Sequence, residues 1–160
     1  RGPMKSIGRK IKSAQERVQR LKLLSENIAS FQDYQVSSDL KDLAERNLQV
    51  AIEACLDIGK IIISQENLQE PKDNKGIFAV LANAGIIDSK ALVFLIPMAG
   101  TRNILVHGYD KIDDSLIYGI LKRHTDDFTL FLRDIGKNYL SKKTKNDNGK
   151  EEGLRIEKKV

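Results

Sequence analysis

An all-α fold, an up-and-down bundle of four or five helices, is predicted by three observations on this sequence. Apolar residues recur at threes and fours over long stretches, hydrophobic residues make up 41% of the chain, and helix formers are abundant where strand patterns are hard to find. At 160 residues the chain is about one domain, long enough for a single substantial core.

The first helix is predicted from about Lys5 to Phe31. Ile7, Ile11, Ala14, Val18, Leu21 and Ile28 share one face, with Lys, Arg and Glu on the other. Ser37 and Ser38 offer an N-cap for a second helix through about Ser64. Its apolar set (Leu40, Leu43, Leu48, Ala51, Ile52, Cys55, Leu56, Ile62) covers more than one side, as a central helix requires. Ser64 to Lys75 reads as a polar loop containing Pro71 and ending in the turn signal Asn74-Lys75-Gly76. A short helix from about Ile77 to Ala84 follows, with Gly85 as its C-cap. Asp88 or Ser89 caps a fourth helix with Pro97 inside it. An internal proline costs about 3 kcal/mol and bends the helix, here just before the turn Arg102 to His107. Asp113 or Asp114 starts a last long helix through about Leu140.

Residues 141–160 are Lys-, Asn- and Glu-rich, with six Lys and one Arg against four acids, a net charge of +3, and read as a charged mobile tail. Arg1-Gly2-Pro3 ahead of Met4 reads as the remnant of a protease-cleaved tag. The expected division is therefore 1–3 as remnant, 4–140 as the bundle domain and 141–160 as tail.

The net charge of +5 favours acidic partners such as RNA or an acidic protein. Cys55 is the only cysteine, so an intrachain disulfide is excluded, and its apolar neighbours read it as packing. Zinc-spaced His/Cys pairs and glycine-rich phosphate loops are missing from the sequence. With no apolar run of about 18 residues and no signal peptide read, the expectation is a cytoplasmic protein without membrane partners.

The chemistry concentrates in Arg102-Asn103-Ile104-Leu105-Val106-His107-Gly108-Tyr109. Arg holds phosphate through several N–H donors, and His moves protons near neutral pH. On a helix Asn103 and His107 lie one turn apart on the same face, whereas Arg102 is rotated from His107 by about 140°. A protonated imidazole at a helix C-terminus is favoured by the dipole, by up to ~2 kcal/mol. RNA offers a matching reaction: a base takes the 2′-OH proton, the oxygen attacks the adjacent phosphate, and Arg stabilises the added charge without a metal. One imidazole does not easily act on both sides of phosphorus, and a symmetric dimer supplies a second. Glu53 and Asp57, four apart on the second helix, read as ordinary surface carboxylates, with orientation of Arg102 as the alternative. His124 reads as a surface histidine.

The motif Arg102, four residues, His107, one residue, Tyr109 resembles the signature of the HEPN superfamily, in particular its HepT-type toxin branch. Glu45-Arg46 and the stretch Leu48 to Ile58 resemble the family's second helix, and Met98 to Thr101 and the exit Asp110 to Asp113 are similar too. The resemblance spans about Lys5 to Leu140. It implies a helical bundle that dimerises with both Arg–His motifs lining one cleft. It further implies a metal-independent ribonuclease toxin of a type VII-like toxin–antitoxin pair, without a cofactor, partnered by an MntA-type nucleotidyltransferase antitoxin. Carried to this sequence, Arg102 and His107 are the catalytic pair, Asn103 is a polar neighbour, and Tyr109 is the residue the antitoxin adenylylates. The alternative is a non-catalytic HEPN binding module that partners a nucleotidyltransferase; a third reading is the substrate-docking half of a split nucleotidyltransferase.

Overall fold

The computed structural model describes residues 2–145, among which every regular element is a helix. Helix α1 spans Gly2–Asn27, so Gly2 and Pro3 belong to its first turn, where a proline loses no helical hydrogen bond. It ends before the predicted Phe31 because Ser30 starts a separate helix, α2 (Phe31–Val36), its side chain accepting from the Asp33 N–H at 3.1 Å. The exposed carbonyls at the end of α1 are taken up by Lys122, whose ammonium donates to the carbonyls of Ser25 and of Ile28 (2.7 Å).

Ser37 closes α2 and caps α3 (Ser38–Gln65), where its hydroxyl accepts from the Leu40 N–H. As its apolar breadth predicts, α3 is the central helix and packs on α1, α4, α5, α6 and α7. Leu48, Ile52, Ile58 and Ile62 are fully buried along it. Gly59 allows α4 to approach closely, since a Cβ there would overlap Cγ2 of Ile77.

Helix α4 spans Asn74–Asn83, and the Asp73 carboxylate accepts from the Gly76 N–H at 3.0 Å. Asn74-Lys75-Gly76 is thus the first turn of a helix and not the end of a loop. The N-cap sits just upstream of the turn signal, and a capped helix uses the same small polar residues as a turn. Gly85 follows with φ +75, the left-handed C-cap conformation that glycine adopts without strain.

Asp88 caps a single tight turn, Ser89–Ala91, that leads into α5 (Leu92–His107). Pro97 lies inside α5, and the Thr101 hydroxyl donates to the Pro97 carbonyl at 3.1 Å. Ser89–His107 is long and apolar enough to cross a membrane by length and composition alone. It carries Lys90, Pro97 and Arg102 and packs against α3 and α4.

The predicted last helix is broken in two: α6 (Asp114–Arg123), capped by Asp113, and α7 (Thr125–Ile135). His124 leaves helical geometry between them (φ −127, ψ 6). Its ring stacks on Phe94 at 5.5 Å, and Nδ1 lies 2.9 Å from Asp127. The apolar spacing Ile117, Ile120, Leu121, Phe128, Phe131, Leu132, Ile135 runs on in helical register across the break, so periodicity conceals it. Beyond α7 the chain takes one wide five-residue turn, Gly136–Leu140, and continues helically to residue 145. The helix therefore runs past the boundary at 140 that composition predicts. Arg1 of the expected remnant and 146–160 of the expected tail lie outside the described residues.

Candidate active site

The C-terminal half of α5 carries the site, and α3 supplies its wall. Arg102 is half-buried between the two helices, and its Nε lies 3.4 Å from Oε1 of Glu53. The same oxygen accepts from Nε2 of Gln49, one turn earlier on α3, at 3.2 Å. On the other side of the guanidinium, Nη1 donates to Oδ1 of Asn103 at 3.3 Å. A row of four side chains, Gln49, Glu53, Arg102 and Asn103, therefore crosses from α3 to the exposed face of α5.

His107 occupies the last turn of α5 and is exposed. Gly108 closes the helix with its N–H on the Ile104 carbonyl at 2.8 Å. Because α5 stays helical through His107, the rotation between Arg102 and His107 persists, and no hydrogen bond joins them among the described residues. Asn103 is the link: it takes one arm of Arg102 and lies one turn before His107 on the same face. Tyr109 opens a single tight turn, Tyr109–Lys111, directly after the helix. The four predicted site residues thus stand on one helix end and the turn that follows it.

Beside this row a shallow groove of about 260 Å³ is lined by Asp42, Glu45, Arg46, Gln49, Leu105 and Ile112. Burial, reinforced by Asp42 and Asp114, pushes the Glu45 carboxyl above its ordinary range. Arg46 is the cation on its rim.

Glu53 departs from the reading as an ordinary surface carboxylate, because it faces Arg102. Asp57, one turn on, instead meets Lys10 of α1 at 3.5 Å. Both sit on the α3 surface at helical spacing, and only the packing of α1 and α5 on either flank separates their roles. Gln49 was beyond sequence reasoning, its single signal being the i, i+4 spacing to Glu53. His124 remains half-exposed, as predicted, though it is held by Asp127 and Phe94. Cys55 is buried as expected, and burial pushes its thiol far above the ordinary range, which suppresses the reactive thiolate.

The profile of the family described as "Ribonuclease HepT-like" matches residues 14–135, which includes the whole Arg102–Tyr109 site. The chain belongs to the HepT-like ribonuclease family. The HEPN resemblance read from the motif and from α3 is thereby upheld. The mRNA nuclease HepT of Shewanella oneidensis is 33% identical over 93 residues, 58% of this chain and 70% of that protein. The tRNA nuclease HepT of Aphanizomenon flos-aquae is 30% identical over 122 residues, 76% of this chain and 82% of the relative. Among solved structures, a toxin–antitoxin complex with AMP-PNP superposes with a TM-score of 0.76 at 26% identity, covering 82% of this chain and 98% of that one. The tri-AMPylated Shewanella oneidensis HEPN toxin in complex with MNT antitoxin gives 0.74 at 27%, covering 82% and 96%. The all-α bundle predicted for this HepT-like chain is accordingly the fold of its relatives.

Proposed function

We propose that this chain is the ribonuclease toxin of a toxin–antitoxin pair and that Arg102 and His107 cleave RNA in the cytoplasm. The observation that carries the reading is the Arg102 guanidinium, held between Glu53 and Asn103, with Asn103 one helical turn before an exposed His107, in a chain whose relatives are named nucleases. The imidazole takes the proton from a 2′-OH, and the oxygen attacks the adjacent phosphorus. The P–O5′ bond breaks, leaving a 2′,3′-cyclic phosphate and a free 5′-OH that takes a proton. Arg102 meets the negative charge that builds on the phosphoryl oxygens, so the reaction is metal-independent.

Base and acid stand on opposite sides of the phosphorus, and each chain has one motif imidazole. A homodimer that joins two α5 ends supplies both. An apolar stripe on α5 supports that arrangement: Val93 is 84% exposed and Ile104 40%, with Pro97 exposed between them, and the stripe ends at His107. An isolated helix face of this kind gains about 25 cal/mol for each Å² it hides from water. Tyr109 is the site at which an MntA-type nucleotidyltransferase partner silences the toxin. Each AMP adds a phosphodiester charge and bulk one residue beyond the C-cap of α5, where RNA phosphate must enter. The tri-AMPylated relative supports this reading.

The test is cleavage of total RNA in EDTA by partner-free protein, beside Arg102→Ala and His107→Ala. Cleavage by the parent, reduced about 100-fold or more in each variant, is the expected result. Intact RNA from parent protein with an unmodified Tyr109 by mass would instead favour a non-catalytic binding module.

A further inference from the structure

A carboxylate beside a phosphate-binding guanidinium is a cost to a nuclease unless it does something, because an unpaired carboxylate repels RNA. Glu53 stands in that position. Its Oε1 is 3.4 Å from Nε of Arg102, and the two side chains are 34% and 27% exposed. The Nε atom is itself buried, and its N–H meets no acceptor in hydrogen-bonding geometry, although the carboxylate is at hand. Gln49 meanwhile fixes the same oxygen from within α3, so the carboxylate is anchored to a rigid helix and not to a loop. Asp57 cannot substitute, being turned to Lys10.

We infer that Glu53 is a positioning residue for the cleavage reaction, orienting Arg102 by its Nε edge so that its free Nη hydrogens face the scissile phosphate. The inference rests on the ribonuclease reading above. Arg carries five N–H donors in a planar fork, so fixing one edge fixes the direction of the opposite one. With Glu53 on Nε and Asn103 on one Nη1 hydrogen, the remaining Nη hydrogens are left for a phosphate. As the phosphate draws the guanidinium into line, the Glu53 contact closes to a charge-assisted hydrogen bond. Gln49 keeps the carboxylate from following Arg102 toward solvent.

This arrangement has a kinetic signature. Removing the Glu53 charge leaves Arg102 available at the site and takes a negative charge away from it, so RNA binds as well or better. The fixed direction toward the transition state is lost, and misplacement on the scale of 1 Å costs up to about 100-fold in rate. kcat therefore falls while KM stays level or falls, the pattern of an interaction made in the transition state. A merely structural residue would lower thermal stability and leave no such split.

The experiment compares partner-free parent, Glu53→Gln, Glu53→Ala and the control Asp57→Asn on one defined RNA. It records kcat, KM and Tm, together with the ¹⁵N-detected Nε–Hε resonance of Arg102. Expected is a kcat loss of about 10-fold in Glu53→Gln and up to about 100-fold in Glu53→Ala. KM is no higher, Asp57→Asn matches the parent, and the Arg102 resonance shifts in both Glu53 variants. The glutamine keeps the shape and one acceptor, so its partial activity reads orientation even where the alanine fails to fold. Parent-like kcat in both Glu53 variants, or an unmoved Arg102 resonance, overturns the inference while the nuclease stands. A parent that leaves RNA intact removes the nuclease reading itself and this role with it.

Discussion

Gly59→Ala sets two opposed effects against each other on α3. In a helix interior alanine is better than glycine by about 1 kcal/mol, so an exposed site would gain stability. Gly59 is buried, and the new Cβ would overlap Cγ2 of Ile77 and sit 3.3 Å from Cδ1 of Leu81, both on α4. Ile77 and Leu81 are themselves buried at 1% and 0% exposure and have no room to retreat. Overpacking of that kind costs about 1–3 kcal/mol. The net expectation is a destabilisation of about 1 kcal/mol, or a fall in Tm of about 2–4 °C for a chain of this size. Urea unfolding at one fixed protein concentration measures it, because the proposed dimer would make apparent stability depend on concentration. Ile77→Ala alone should cost about 2–5 kcal/mol by leaving a cavity. The double variant should cost less than the sum, by about 1 kcal/mol or more, since the alanine at 77 no longer carries the clashing methyl. A stabilised Gly59→Ala, or a cycle additive to within about 0.3 kcal/mol, would refute close α3–α4 contact as the reason for this glycine.

Glu66 accepts from the Tyr139 hydroxyl at 2.9 Å and pairs with Lys143 at 2.6 Å, and these contacts, Lys143 first, hold its carboxyl below the ordinary value. A depressed carboxylate contributes stability above its unfolded pKa of about 4.3 and loses it as pH falls through the lowered value. Urea titrations should therefore show Glu66→Gln less stable than the parent at pH 7, with the gap closing under acid; a gap constant down to pH 2 contradicts the linkage. Lys122→Met removes the donor to the carbonyls of Ser25 and Ile28. It should cost about 1 kcal/mol and speed amide exchange at the end of α1, and unaltered exchange there would discount the cap. If the proposed dimer forms through the α5 stripe, Val93→Asp should give a monomer in sedimentation velocity where the parent is a dimer, and should abolish the proposed RNA cleavage with it. Leu130→Asp, an equally apolar exposed site on α7, should do neither; a dimer untouched by Val93→Asp moves the interface elsewhere.

Much of the site was legible because it lies on one short stretch. Helical spacing alone puts Asn103 and His107 on one face and Arg102 off it, and α5 keeps that geometry through His107. The start of α3 at Ser37 and the αL residue Gly85 were equally local, since a cap and a positive φ depend on a few neighbouring atoms. The breaks at Ser30 and His124 escaped for the opposite reason. Apolar spacing continues through His124, and the end of α1 is completed by Lys122, remote in sequence.

Sequence by itself therefore determined the helical class, the central role of α3 and the identity of the groups proposed to meet RNA, because each follows from periodicity or from side-chain chemistry. Only tertiary structure decided which of two similar carboxylates faces the site. Glu53 and Asp57 differ by one helical turn on α3, and the difference in their partners, Arg102 for one and Lys10 for the other, arises from where α5 and α1 pack against it. A side chain's partner across an interhelical gap is fixed by the placement of both helices, and no pattern along a single one contains that placement.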